Sequence, residues 1–197
     1  MSHLSDQVLE LFRQAGAYLE GHFLLTSGLH SPAYLQCALV LQHPRYAELL
    51  GQKLAAEIRR IEPVRNIGVV VSPAMGGLMI GHEVARALNT RHIFTERVDA
   101  KMTLRRGFAV QKGESAVVIE DVVTTGGSSL EVVELLKAQG VDVVCAGSII
   151  DRSGGRADVT VPRVALATLH VMSYDASQCP LCAQGVPVVK PGSRPTA

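Results

Sequence analysis

Two adjacent carboxylates, Glu120 and Asp121, close a β-branched apolar run and are followed by Val122, Val123, Thr124, Thr125, Gly126, Gly127, Ser128 and Ser129. A strand that ends in acids and then in a turn of hydroxyls and glycines opening a helix has definite chemical resources. Amides freed by the glycines, the hydroxyls, and the positive end of the helix together make a cradle for a phosphate monoester. The acids repel that phosphate, so their natural partners are ribose hydroxyls and a phosphate-bound divalent cation such as Mg²⁺. Singly, an acidic pair after a strand reads as a solvated loop, and Thr-Thr-Gly-Gly as ordinary turn chemistry. Their order on one strand-to-helix turn favours a sugar phosphate. The turn lacks the Gly-Lys-Ser/Thr of a Walker A loop and contains no Gly-x-Gly-x-x-Gly, which disfavours nucleoside triphosphates and dinucleotides.

The elements that must hold this turn follow from periodicity. Segments 67–71, 116–119 and 141–150 are short, β-branched and nearly continuously apolar, as parallel strands buried on both faces are. Segments 76–88 and 128–138 have the length of crossover helices. The order β, α, β, β, α, β predicts an open α/β sheet with helices on both sides, whose ligands bind beyond the carboxyl ends of the strands. Upstream, Val8, Leu9, Leu11 and Phe12 recur at helical spacing after Ser5-Asp6, a candidate N-cap, with Gly16 as the stop. Pro44 opens a second helix striped by Ala47, Leu50, Leu54, Ala55 and Ile58. Between them, 18–36 reads as irregular strands around the turn 27–32, a flap and not a core unit. Past Ala167 the pattern fades, and 179–197 reads as a packed, Pro- and Gly-rich extension.

A chain of 197 residues, 47% hydrophobic, is expected to form one domain. Nineteen basic and 18 acidic residues leave a net charge of +1, so there is no field for nucleic acid and any anion is bound locally. The uncharged stretch 66–82 is broken by Pro73 and four glycines and is no membrane span. The N-terminus lacks the basic and apolar segments of a signal peptide, which predicts a cytoplasmic chain whose four cysteines are thiols. Cys179-x-x-Cys182 has zinc-knuckle spacing, but one pair supplies two ligands where a tetrahedral site wants four. His170 would complete a site only with a further partner, so plain thiols are expected there, with Cys37 and Cys145 packed. His22, His30, His43, His82 and His92 are scattered and have no paired nucleophile, His30 beside the flap being the nearest to a role. No Gly-x-Ser-x-Gly elbow occurs.

Residues 117–129 resemble the 5-phosphoribosyl 1-pyrophosphate (PRPP) motif of type I phosphoribosyltransferases: an apolar run, two acids, two apolar residues, then Thr-x-Gly-x-Ser/Thr. Segment 21–34, with Ser27-Gly28-Leu29-His30-Ser31-Pro32 before Tyr34, resembles the N-terminal hood of orotate phosphoribosyltransferases. Ser72-Pro73-Ala74-Met75-Gly76-Gly77 is similar to their pyrophosphate loop, and Ile150-Asp151-Arg152 to their late Asp-Arg. The resemblance implies the type I phosphoribosyltransferase fold: a mostly parallel twisted sheet flanked by helices, a hood near 17–40, a mobile hairpin loop, and here an extension near 170–197. It implies that Glu120 and Asp121 contact the ribose hydroxyls, Asp121 in a catalytic role. Residues Val122, Val123, Thr124, Thr125, Gly126, Gly127 and Ser128 surround the 5′-phosphate, and Mg²⁺ is held mainly by PRPP near the acids.

The implied activity is orotate phosphoribosyl transfer in pyrimidine biosynthesis, giving orotidine 5′-phosphate and pyrophosphate. An arginine fork matches orotate's carboxylate, which assigns Arg152, with Thr124 touching the base and Tyr34 packing near its ring. The basic segment 95–107 fits the lid, its Arg97 and Lys101 meeting charge that develops on the departing pyrophosphate. In the family that loop reaches into the neighbouring subunit, so a homodimer is implied. Arg105 and Arg106 read as surface cations. Thr26, Gly76 and Thr103 stand where better-known bacterial enzymes carry two lysines and a histidine, the mark of a divergent bacterial branch. Two other readings follow from the same residues: a PRPP-binding regulator with little catalysis, and a purine phosphoribosyltransferase.

Overall fold

The computed structural model describes residues 3–25, 27–61, 66–169 and 172–191. The chain begins with α1 (His3–Gln14), β1 (Tyr18–Leu24), β2 (His30–Leu35), α2 (Cys37–Leu41) and α3 (Pro44–Ile61). It continues through β3 (Val69–Pro73), α4 (Gly77–Leu88), β4 (Arg91–Val98), β5 (Lys101–Leu104), β6 (Ser115–Val123) and α5 (Gly127–Ala138). β7 (Asp142–Asp151), β8 (Arg163–Thr168) and α6 (Pro180–Ala183) follow. The last helix comes after a single 3₁₀ turn, Ala176–Gln178.

The apolar strands stack in the order β5-β4-β3-β6-β7-β8. All pairs are parallel except β4 with β5, an antiparallel hairpin. Because side chains alternate across a strand, neighbouring residues feed opposite layers. Val70, Val117 and Ile119 join the cluster containing Val8, Leu50, Leu54 and Ile80 from α1, α3 and α4. Val69, Val71, Ala116 and Val118 join Val132, Val133 and Leu136 of α5 on the other face. The sheet is therefore sandwiched between helices.

Outside this unit, β1 and β2 form their own two-stranded antiparallel sheet, the hood. The C-terminal segment lies along both of its edges. Leu24 N–H donates to the Val189 carbonyl and Val189 N–H to that of His22, each at 2.8 Å, while His30 and Tyr174 exchange backbone bonds of 2.8 and 2.9 Å.

Several boundaries differ from the sequence reading. α1 starts two residues before Ser5, which is buried inside the helix and does not cap it. α2 is five residues long, too short for a periodic signature. β8 lies just before the point where the pattern fades, Leu166 and Ala167 buried while its start is only partly covered and Thr168 is exposed. The basic segment 95–107 holds most of a regular hairpin: a two-residue turn with positive φ at Asp99 (48°) and Ala100 (65°) joins β4 to β5. Thr26 and His170 lie outside the described residues.

Helix α3 crosses α4 so closely at Gly51 that a Cβ there would stand 2.5 Å from Glu83 Cβ and 2.8 Å from its carbonyl carbon. We expect Gly51→Ala to lower stability by about 1–3 kcal/mol, overpacking outweighing alanine's better helix propensity. Denaturant unfolding measures this, and an unchanged or raised midpoint would contradict the close crossing.

Candidate functional site

Three turns at the carboxyl ends of β3, β6 and β7 meet the hood and the C-terminal segment around one cleft of about 1450 Å³. Its wall includes Tyr34 from the hood, Gly76 after β3, Glu120, Asp121, Thr124, Thr125 and Ser128 around the end of β6, and Arg152 after β7. Ser173 and Lys190 of the C-terminal segment also reach it. The sheet is held together beneath the cleft by strand register: Glu120 pairs with Ser148 and Val123 with Asp151. Arg152 N–H then donates to the Val123 carbonyl at 2.8 Å, tying the second turn to the third.

Strand alternation sends the two acids to different sides of β6. Glu120 shares its side with Val118, toward α5, where Ser129 Oγ donates to Glu120 Oε2 at 2.5 Å. Burial drives the Glu120 carboxyl up to about 7; the Ser129 bond and the Arg97 charge oppose this, and the Asp121 charge reinforces it. Asp121 shares its side with Ile119, facing Gly76 and the hood. Burial raises it too, against the N–H of Val122, which donates to Asp121 Oδ1 at 2.9 Å. A pair of partly buried carboxylates with so few donors is a set of hard oxygens suited to sugar hydroxyls and to a divalent cation.

The turn after β6 has the geometry of an anion cradle. Gly126 adopts φ +85°, and a Cβ there would come within 3.1 Å of Ala157. Gly127 begins α5, whose first amides have no intrahelical acceptors. Thr124, Thr125 and Ser128 line the cleft, whereas Val123, Gly126 and Gly127 shape the turn behind them.

Beside it, Asp151 organises the turn after β7. It accepts from Ser153 N–H at 2.7 Å, Ser153 Oγ at 2.6 Å, Gly155 N–H at 3.0 Å and Arg163 at 3.1 Å. Burial pushes the Asp151 carboxyl up, but these donors outweigh it and hold it below the usual carboxylate range. Arg152 is thereby set toward the hood, where burial lowers its pKa and the Tyr34 and Cys37 groups raise it. Its Nε is buried without a hydrogen-bond partner among the described residues. Tyr34 is raised mainly by burial, against the charge of Arg152.

The structure brings Tyr34, Glu120, Asp121, Val122, Thr124, Thr125, Ser128 and Arg152 together on one wall. Arg97 and Lys101 stand apart from it, on the β4–β5 hairpin. Arg97 forks onto Glu131 of α5 at 2.8 and 2.9 Å and also donates to the Ala100 carbonyl at 2.5 Å. Lys101 is exposed. Gly76 has a local reason: a Cβ there would lie 2.5 Å from Asp121 Oδ1, so a lysine at 76 and this Asp121 position exclude each other. Sequence reasoning missed Ser129 and Glu131 of α5, which partner the assigned Glu120 and Arg97. It also missed Lys190, which sits in an aperiodic tail where no spacing signals a site.

A family model described as a phosphoribosyl transferase domain matches residues 40–168. An orotate phosphoribosyltransferase of Desulforamulus reducens is 50% identical over 189 residues, covering 96% of this chain and 97% of that protein. Among solved structures, orotate phosphoribosyltransferase from Aeropyrum pernix superimposes with a TM-score of 0.68 at 25% identity, over 82% of this chain and 93% of that one. Adenine phosphoribosyltransferase from Saccharomyces cerevisiae reaches a TM-score of 0.66 at 15% identity, over 80% and 99% of the two chains, a likeness of fold alone.

Glu120 titrates at about 7 when folded against an ordinary 4.5. The folded state therefore binds the extra proton between those values, so stability falls as pH rises through the window, by up to about 3 kcal/mol. We expect Glu120→Gln, which removes this term, to gain melting temperature over the parent at pH 8 and to gain much less at pH 5. A difference independent of pH would contradict the burial of this carboxyl.

Proposed function

This chain belongs to the phosphoribosyltransferase family, and from that premise we propose that it transfers the 5-phosphoribosyl group of PRPP to orotate, releasing pyrophosphate and forming orotidine 5′-phosphate for pyrimidine synthesis. The observation that carries this reading is the buried, unpartnered Nε of Arg152 in the same cleft as the acid pair and the phosphate cradle. That Nε, buried without an acceptor among the described residues, suits the carboxylate of a planar anionic base better than a neutral purine, which offers it only uncharged acceptors. The names of the curated relatives point the same way.

In this reading the cradle of residues 124–128 fixes the 5′-phosphate, and the acids on either side of β6 take the ribose hydroxyls. Arg152 and Thr124 hold the base with its N1 toward C1 of the ribose, and Tyr34 covers the ring. Orotate is already an anion, so orientation and exclusion of water are most of what the protein must supply. Charge then grows on the departing diphosphate, where Arg97 and Lys101 are the assigned cations. The Arg97–Glu131 pair is half exposed and worth about 0–1 kcal/mol, so releasing it costs little. Mg²⁺ fits the oxygens of Glu120 and Asp121 together with the diphosphate, and when bound it neutralises leaving-group charge.

Lys101 is exposed and does not line its own cleft, which favours a lid contributed to a neighbouring subunit, so the reading includes a homodimer. Four free thiols fit a reducing compartment such as the cytoplasm. No helix among the described residues is long and apolar enough to cross a membrane. A second reading, a PRPP sensor with little turnover, rests on Gly76 and Thr103 standing where the family resemblance expects a lysine and a histidine.

Pyrophosphate release, followed with PRPP, Mg²⁺ and each of orotate, uracil, adenine and hypoxanthine, separates these readings. Release with orotate alone is expected. Release only with a purine overturns the choice of base, and PRPP binding without release from any base favours the sensor. We further expect Arg152→Ala to raise the KM for orotate by roughly 10- to 150-fold, the range of a lost charge-assisted hydrogen bond. Lys101→Ala should lower kcat by orders of magnitude while PRPP still binds. An equal mixture of these two variants, exchanged into hybrid dimers, should recover about a quarter of parental activity, since one site in each hybrid is intact. No recovery would contradict the shared lid.

A further inference from the structure

Apart from the residues that line the cleft, His22 and His30 of the hood meet Cys179 and Cys182 of the C-terminal segment. Their four ligand atoms all lie within 4.8 Å of one another. His22 Nε2 is 2.7 Å from His30 Nδ1, 3.5 Å from Cys179 Sγ and 3.7 Å from Cys182 Sγ, and Cys182 Sγ is 3.3 Å from His30 Nδ1. Tetrahedral zinc with ordinary Zn–N and Zn–S bonds has edges of about 3.3 Å between nitrogens, 3.5 Å between nitrogen and sulfur and 3.8 Å between sulfurs. The three nitrogen–sulfur distances match those edges. The nitrogen–nitrogen edge must open by roughly 0.6 Å.

We propose that His22, His30, Cys179 and Cys182 form a structural zinc site that staples the C-terminal segment to the hood. The surroundings favour a metal over a set of plain thiols. His22 Nδ1 lies 2.7 Å from the Val186 carbonyl, a bond that makes Nδ1 the protonated nitrogen and leaves the Nε2 lone pair aimed into the cluster, as ligating histidines are commonly held. Cys179 and Cys182 stand at i and i+3 on the turn that opens with Pro180, so both sulfurs leave the same side. Three of the four residues are buried. Binding replaces the thiol protons with the cation and leaves no open coordination position, so the role is structural and not catalytic.

Histidines scattered without a paired nucleophile thus gain a partner that spacing did not reveal, because the ligand pairs lie more than 150 residues apart. The consequence reaches the cleft. The segment pinned by Cys179 and Cys182 carries Ser173 and Lys190 to its wall, which the hood residue Tyr34 also lines.

The test is metal analysis of the full-length protein purified without chelator. About one zinc per chain is expected, falling below about a tenth in the Cys179→Ser/Cys182→Ser variant. Because that variant is liable to fold poorly, the parent protein stripped with chelator and reloaded with Co²⁺ alone provides a second readout. It should show intense tetrahedral d–d bands together with thiolate-to-cobalt charge transfer. Zinc-free protein that gives no such spectrum with Co²⁺, or a Cys179–Cys182 disulfide in protein kept under reducing conditions, would overturn the proposal. Neither result bears on pyrophosphate release, so the staple and the phosphoribosyl reading fail separately.

Discussion

Two carboxylates are held partly buried at the end of one strand while remaining open to a ligand, and the rest of the architecture serves that requirement. Alternation along β6 divides them, Glu120 toward α5 and Asp121 toward the hood, so one strand end presents an acid on each side of the same cleft. Among the described residues, neither acid forms an ion pair with a cation. The donors nearest at hand are the Ser129 hydroxyl and the Val122 amide, which moderate the effect of burial without cancelling it. Hydroxyls or a divalent cation delivered by a ligand satisfy what the protein leaves wanting.

The positions of the other site residues follow from that strand end. The parallel register of β6 with β7 brings the turn carrying Arg152 beside the cradle, and the Val123 carbonyl fixes it there. Asp151 spends its accepting capacity on its own turn, which leaves Arg152 to face outward from a rigid base. Gly76 is small because Asp121 occupies the space a side chain would need. The hood closes the remaining side, held by backbone bonds to the C-terminal segment at both edges.

Much of this was legible in the sequence because the signals were local. The apolar runs in β3, β6 and β7 announce buried parallel strands, and the acids, hydroxyls and glycines of 120–128 sit on consecutive positions where order itself carries meaning. The pattern 117–129 and the hood segment 21–34 added a family resemblance that periodicity alone does not supply. What stayed hidden depends on tertiary approach. Nothing in the spacing of Glu131 shows that it will meet Arg97, and Lys190 and the histidine–cysteine cluster join segments far apart in the chain. α2 and β8 were missed for a different reason, one too short to show a period and the other only partly buried, so neither imposes a strict pattern. Ser5 shows the reverse error, a good capping residue carried inside a helix by the packing of Val8 and Phe12.

The most direct measurement is a crystal structure of the protein with PRPP and Mg²⁺. The 5′-phosphate oxygens should lie within hydrogen-bond distance of the amides of residues 125–128, with Glu120 and Asp121 turned to the ribose hydroxyls. A PRPP molecule bound elsewhere, or a sugar lying away from both acids, would contradict the assignment of this cleft.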